Sequence, residues 1–294
     1  MSVAGRADIY VRPTPPESPT GMREETPRSF VRASDSSGQA PRGTAAGHQE
    51  RLVPGDPHWR GNIAGHMQRY RFASQFVAGK RVLDAGCGVG YGSRILMQAG
   101  ASEVIGVDLS EEALEVARRQ FASPGIRFVR EDCESLSGIE ENLDVIVALE
   151  SLEHFQRPER FLRRAAELLE PAGILVCSTP NALFTGSRVN SPPDNPFHVR
   201  EYALAELEAL LQEHFADVRI AGQRLTAACL LGLHSLQLRS NPFIRVALWL
   251  ESIWRRRQDP WAEIVFTEGD FVVTDANPEE AGQFIAVCRS PRRR

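Results

Sequence analysis

Two carboxylates and two imidazoles are spaced so that chemistry could gather around them. Glu150, Glu153 and His154 stand in Ala148-Leu149-Glu150-Ser151-Leu152-Glu153-His154-Phe155, directly after an apolar run. His198 stands in Asn195-Pro196-Phe197-His198-Val199-Arg200-Glu201-Tyr202. Residues three and four apart share a helix face. A helix starting at this turn would therefore bring Glu150 and Glu153 together, with His154 beside them. Such a set suits a divalent cation: Mg²⁺ leans on carboxylates, while Mn²⁺ or Zn²⁺ accepts imidazoles as well. His154 and His198 equally suit a general base, which contributes roughly 10²–10⁴-fold to a proton-transfer step. The alternative stays open that Glu153 and His154 only position a substrate or cap a turn, and that His198 caps a helix near Glu201. Asn181, after Thr179-Pro180, is a lesser candidate for orienting an acceptor.

A second chemical signal is Val82-Leu83-Asp84-Ala85-Gly86-Cys87-Gly88-Val89-Gly90-Tyr91-Gly92. An apolar strand runs into glycines that permit a tight turn and close approach of a ligand to the backbone. A helix N-terminus with unpaired N–H groups follows. The spacing is GxGxG, and Tyr91 stands where a dinucleotide fingerprint would have its third glycine. Asp84 precedes the glycines, where a carboxylate is expected to face a cationic ligand and repel a pyrophosphate. Asp108 ends the next strand about twenty residues on, placed to accept hydrogen bonds from a ribose diol. An adenosyl amino acid fits these residues better than a dinucleotide.

The elements that must hold these groups alternate. Strands are predicted at Arg81–Ala85, Glu103–Val107, Arg127–Arg130, Val145–Leu149 and Ile174–Ser178. Helices are predicted at Ile63–Val77, Gly92–Gln98, Glu111–Phe121 and Pro158–Leu169. Continuous apolar strands separated by amphipathic helices indicate a parallel sheet covered on both faces, a doubly wound α/β domain. A helix over Glu201–His214 and strands over Val218–Ala221 and Phe284–Cys288 complete the pattern. Both candidate segments then emerge at the carboxyl edge of the strands, where ligands bind in such sheets.

The glycine segment resembles the first motif of class I S-adenosylmethionine (SAM) dependent methyltransferases, and the likeness runs from about His66 to Gln223 with Phe284–Cys288 as the last strand. The resemblance implies a Rossmann-like, doubly wound, seven-stranded sheet with an insertion before the last strand, and SAM as cofactor. It implies that Gly86, Gly88 and Gly90 pass under the methionine part and that Asp108, with Leu109 beside it, holds the ribose. It further implies that Asp132 meets the adenine amino group, that Cys133 lies beside the ring and that Leu149 lines the cofactor. The Glu-x-x-Glu-His run followed by a later His is similar to the small-RNA 2′-O-methyltransferases, and its first part to the ubiquinone-pathway O-methyltransferases. Ser178-Thr179-Pro180-Asn181 and the segment around His198 look like bacterial small-molecule or glycan methyltransferases. The function implied is methyl transfer to a hydroxyl of a small-molecule, lipid-linked or glycan acceptor. N- or C-methylation, or SAM binding without catalysis, are the alternatives.

Bulk properties narrow the partners. The chain has 294 residues and a formal net charge of -4, against a dedicated nucleic-acid binder, which carries a basic surplus. Five cysteines without a CxxC pair argue against a zinc knuckle and fit a reducing, cytoplasmic setting. Residues 1–48 are rich in Pro, Ser, Gly and Arg and read as a disordered tail before a domain over 49–294. Residues 225–270 interrupt the alternation and read as a lid or substrate-binding insertion. A membrane-surface helix with Trp249 and Trp254 before three arginines is the competing reading there.

Overall fold

The computed structural model describes residues 57–140, 142–185, 193, 195–226 and 268–293. The tail expected over 1–48 and most of the insertion expected over 225–270 lie outside the described residues.

Five strands run parallel: β1 Arg81–Ala85, β2 Glu103–Asp108, β3 Ile126–Arg130, β4 Leu143–Leu149 and β5 Leu169–Pro180. Three more, β6 Phe215–Leu225, β7 Phe271–Thr274 and β8 Gln283–Pro291, extend the sheet with antiparallel pairings. The order is β3-β2-β1-β4-β5-β8-β6-β7. The strand order reverses between β1 and β4, and a crevice opens outside the carboxyl ends at such a reversal. The glycine loop follows β1 and the Glu150–His154 run follows β4, so the topology delivers both to this crevice.

The pleat explains the two cores. Along β1, Val82 packs into a cluster with Val104, Val145, Leu96 and Tyr70, while Leu83 packs into one with Ile105, Ile146, Phe161 and Phe284. Alternate residues face opposite sides of a strand, so an uninterrupted apolar run is what a sheet covered on both faces requires. Each fully buried side chain of this size contributes about 1.5–3 kcal/mol. The covering helices are α1 Pro57–Ala73, α2 Tyr91–Gln98, α3 Glu111–Gln120, α4 Pro158–Leu168 and α6 Leu204–Gln212, with the single turn α5 Ala182–Thr185 after β5. Helix α3 shows why a segment starts and stops where it does. The Ser110 hydroxyl accepts the Ala113 N–H, Glu111 and Glu112 fill the first turn, and Arg118 and Arg119 fill the last. That arrangement complements the helix dipole.

Two expectations are refined. The described sheet has eight strands where seven were expected, because Phe271–Thr274 pairs with Gly222–Leu225. The extra strand is four residues long, and β6 runs past Ala221 to carry it. The helix expected from Glu201 begins at Leu204: the Glu206 carboxylate accepts the Ala203 N–H at 3.0 Å and fixes the start there. The four described cysteines, Cys87, Cys133, Cys177 and Cys288, are buried thiols. No helix among the described residues is long and apolar enough to cross a membrane.

Candidate active site

The loop after β1 is held open by its own backbone. Gly86, Gly88 and Gly90 have φ of 80°, 53° and 87°, a region costly for residues with a Cβ. Their surroundings differ. A Cβ on Gly86 would lie 2.6 Å from Ser151 Oγ, and one on Gly90 would lie 2.7 Å from the Ala117 Cβ. A Cβ on Gly88 would meet nothing within 4 Å. Two glycines are thus required by neighbours, while the middle one keeps a cradle clear. Asp108 fastens the loop: one carboxylate oxygen accepts the Gly88 N–H at 3.0 Å and the other the Ser110 N–H at 2.8 Å. Leu109 beside it is exposed, as is Asp132 after β3, whose carboxylate accepts the Glu134 N–H. Cys133 and Leu149 are buried at the ends of β3 and β4.

Asp84 lies beneath the loop, not in it. It is 0% exposed and receives Tyr70 Oη at 3.0 Å and Ser93 Oγ at 2.6 Å. The expected facing of Asp84 toward a ligand is therefore corrected, because the pleat turns Asp84 to the α1–α2 side with Val82. Burial raises its pKa to about 6, against the lowering by the Ser93 and Tyr70 bonds.

Helix α1 supplies residues that sequence reasoning missed. The Tyr70 ring occupies the space over Gly92, where a Cβ would come within 1.9 Å of it. The buried Arg69 bonds Gln223 on β6, and its guanidinium lies 3.6 Å from the Glu150 carboxylate. His66 Nδ1 meets the Tyr91 hydroxyl at 3.2 Å. Burial first, and then the Arg69 charge, hold the His66 imidazole well below its usual pKa, so it is neutral at pH 7. The only signal was the helical pattern around them, and nothing local says which wall that helix covers.

Glu150 carries a left-handed φ of 51°, which costs about 1–2 kcal/mol for a residue with a side chain. Ser178 holds it there: the Glu150 N–H donates to Ser178 Oγ at 2.9 Å, and that hydroxyl donates to Glu150 Oε1 at 2.8 Å. Only Leu152–His154 then forms a 3₁₀ turn. Ligand atoms of Glu153, His154 and His198 lie within 4.8 Å of one another. Glu150 falls outside that set because its carboxylate turns to Ser178 and Arg69.

The two histidines differ. His154 Nδ1 lies 3.1 Å from the Phe197 carbonyl. A carbonyl only accepts, so Nδ1 is the donor in this contact. Asn195 Oδ1 accepts the Phe197 N–H, which turns its Nδ2 to donate to His198 Nε2 at 3.0 Å. His198 Nδ1 therefore donates to Glu201 at 2.6 Å. The rings meet edge to face with centroids 5.1 Å apart. Glu153 is 1% exposed, and the Thr179 hydroxyl is its side-chain hydrogen-bond partner. Burial, then the Glu150 charge, pushes its carboxyl well above the usual range. Asn181 is buried and donates to the Glu279 and Ala281 carbonyls. It therefore anchors the start of β8 and does not present an amide to an acceptor.

Residues 83–177 match the family model of a methyltransferase domain. A SAM-dependent methyltransferase-named protein of Mycobacterium tuberculosis is 35% identical over 177 residues, covering 59% of this chain and 62% of the relative. Residues 83–177 are thus similar to a methyltransferase domain. A ubiquinone biosynthesis O-methyltransferase of Ruegeria pomeroyi is 37% identical over 121 residues, 40% of this chain and 48% of that protein. This chain thus spans less than two thirds of these relatives. The fold is shared with a SAM-dependent methyltransferase of Thermotoga maritima at a TM-score of 0.52, with 15% identity over 79% of this chain and 92% of that one. One from Mesorhizobium loti gives 0.50, with 19% identity over 78% and 98%.

Asp108→Ala removes two backbone anchors and the carboxylate expected to accept a ribose diol. Hydrogen bonds to a charged group contribute about 1.5–3 kcal/mol, so affinity for the demethylated cofactor product should fall about ten- to a hundredfold. Calorimetry on the folded variant measures this, and unchanged affinity would remove Asp108 from the ribose role.

Proposed function

We propose that this domain transfers a methyl group from SAM to a hydroxyl of a small-molecule, lipid-linked or glycan acceptor, with His154 as the base. The carrying observation is the 3.1 Å contact of His154 Nδ1 with the Phe197 carbonyl. In the neutral imidazole with Nδ1 as that donor, Nε2 offers the lone pair that takes the acceptor proton. The cradle over Gly88 and the carboxylate of Asp108 fit the cofactor, with Asp132, Cys133, Leu109 and Leu149 along the adenosine side. Bound SAM supplies an electrophilic methyl on a sulfonium leaving group. The chain's own part is to fix the approach geometry and to hold the acceptor proton at His154. His198, bonded at both ring nitrogens, positions His154 through their edge contact.

A metal-assisted reading is favoured by one observation, the approach of ligand atoms of Glu153, His154 and His198 to within 4.8 Å of one another. Glu153, His154 and His198 would hold a divalent cation once His198 Nε2 gives up its bond from Asn195 Nδ2, and the cation would lower the pKa of an acceptor hydroxyl. The ubiquinone-pathway name of one relative supports oxygen as the acceptor atom. The test is a transfer assay with methyl-labelled SAM and separate panels of alcohols, phenols, glycosides and amines, with and without chelator. Label appearing on amines alone would reverse the hydroxyl reading.

Asp84 gives this function a pH signature. Its folded pKa of about 6 exceeds the ordinary 3.8, so the folded chain binds this proton more tightly than the unfolded chain. Its contribution to stability is full below about pH 4 and is lost as pH rises through 6. The field it offers to the cofactor's ammonium has the opposite trend and grows over the same interval. Raising pH from 5 to 7 should therefore strengthen cofactor binding while lowering the stability of the unliganded chain, each relative to Asp84→Asn. Parallel slopes in the two proteins would take Asp84 out of both effects.

A further inference from the structure

Beside the histidine pair lies a cleft that the transfer reading does not use. It begins one residue past each histidine, at Phe155 and Val199, and is also lined by Glu159, Arg200, Tyr202 and Glu206. Its volume is about 180 Å³. Whole-ligand pockets run to roughly 300–1,000 Å³, so this one takes a single ring and not a complete acceptor.

Tyr202 is the informative group. It is 1% exposed, yet its hydroxyl has no hydrogen-bond partner. Arg200, Glu159 and Glu206 line the same cleft as Tyr202. Buried hydroxyls are almost always bonded, and an orphan costs stability that a partner would restore. The Arg200 guanidinium lies over the Tyr202 ring at 5.2 Å and is bonded to Glu206 at 3.2 Å. The main-chain frame is firm, because the Val199 and Arg200 N–H groups donate to the Glu153 carbonyl at 2.7 and 3.2 Å.

The lining selects a chemistry. Two carboxylates against one guanidinium disfavour an anion, and the guanidinium over the ring disfavours a simple ammonium. Phe155 and Val199 give apolar wall. A neutral ring with several hydroxyls satisfies this mixture, since each hydroxyl both donates and accepts and vicinal pairs match planar carboxylate and guanidinium groups. We infer that this cleft is a subsite for a pyranose ring of the acceptor, with the Tyr202 hydroxyl at its floor. The inference deepens the transferase reading, because it names the class of acceptor whose hydroxyl reaches His154.

The experiment uses the full chain loaded with the demethylated cofactor product and probes it with methyl α-D-mannopyranoside and methyl α-D-glucopyranoside. Saturation-transfer NMR should show weak, saturable binding to the ring protons of at least one glycoside. Tyr202→Phe should weaken that binding about fivefold or more and, at the same time, raise the melting temperature, because it deletes an orphaned hydroxyl. A purely structural tyrosine would not give this opposed pair. Val199→Trp, which fills the cleft, should abolish glycoside binding while cofactor-product binding persists. Absence of glycoside binding, indifference to both substitutions, or preference of the cleft for catechol would overturn the subsite. Loss of cofactor-product binding in the unmodified chain would instead strike the transferase reading, so the two failures are distinguishable.

Discussion

His154→Ala should lower kcat by roughly 10²–10⁴-fold, the range for loss of a positioned general base, with affinity for the cofactor unchanged. In the proposed reaction the imidazole acts only when an acceptor proton must move, and the bonds shown for the glycine loop come from Asp108 and the backbone. His198→Ala should cost less, because that ring acts through its neighbour: His198 is tied to Glu201 and Asn195 and touches His154 by its edge. Steady-state kinetics on the acceptor identified by the transfer assay measure both. Equal losses for the two, both mimicked by chelation of the unmodified protein, would move the mechanism to a cation held by Glu153, His154 and His198. Activity that survives chelation and falls only with His154 keeps the base assignment. A His154→Ala variant with full activity would end it.

Arg69→Ala should destabilise the chain by about 3–5 kcal/mol, the usual result of removing one partner of a buried charged pair. The guanidinium is 4% exposed at 3.6 Å from Glu150 and is bonded to Gln223. Its loss strands the Glu150 carboxylate beside Glu153, whose carboxyl already feels that charge, and leaves Gln223 Oε1 without its donor. It also loosens α1, since Gln223 Nε2 donates to the Gly65 carbonyl at 2.9 Å and to Gln68 at 2.7 Å. Urea unfolding of Arg69→Ala and of the double variant Arg69→Ala with Glu150→Gln measures the pair. The double variant should recover part of the loss, because it removes the stranded charge. A single-variant loss below about 1 kcal/mol, the level of an exposed ion pair, would show that water replaces the guanidinium freely.

These two sites also mark what could and could not be read from the sequence. The glycine loop and Asp108 were legible because the turn, the strand and the acid that closes it are determined within a short stretch of chain. Asp84 was placed on the right strand and given the wrong neighbour, since only the pleat decides which side of the sheet a residue faces. The joining of Glu150 to Glu153 rested on helical spacing. A left-handed residue at 150 followed by a single 3₁₀ turn breaks that spacing, and such a backbone at Glu occurs only because Ser178 bonds it on both sides. His66, Arg69 and Tyr70 were not legible because their partners are reached by docking of α1. The bond from Arg69 to Gln223 spans 154 positions, and no local period encodes it. The short β7 was hidden for a related reason: four residues carry little signal until β6 offers them an edge.

The placement of β8 has a consequence for how the chain matures on a ribosome. This strand, Gln283–Pro291, is inserted between β5 and β6 and is bonded to both. Until it has been synthesised and released from the exit tunnel, β5 and β6 each present an unpaired edge. Such edges recruit other strands, and pairings between distant positions form slowly. From the emergence of β5 until β8 follows it, the nascent chain therefore carries an adhesive surface, and the insertion of β8 ends that exposure to other nascent chains.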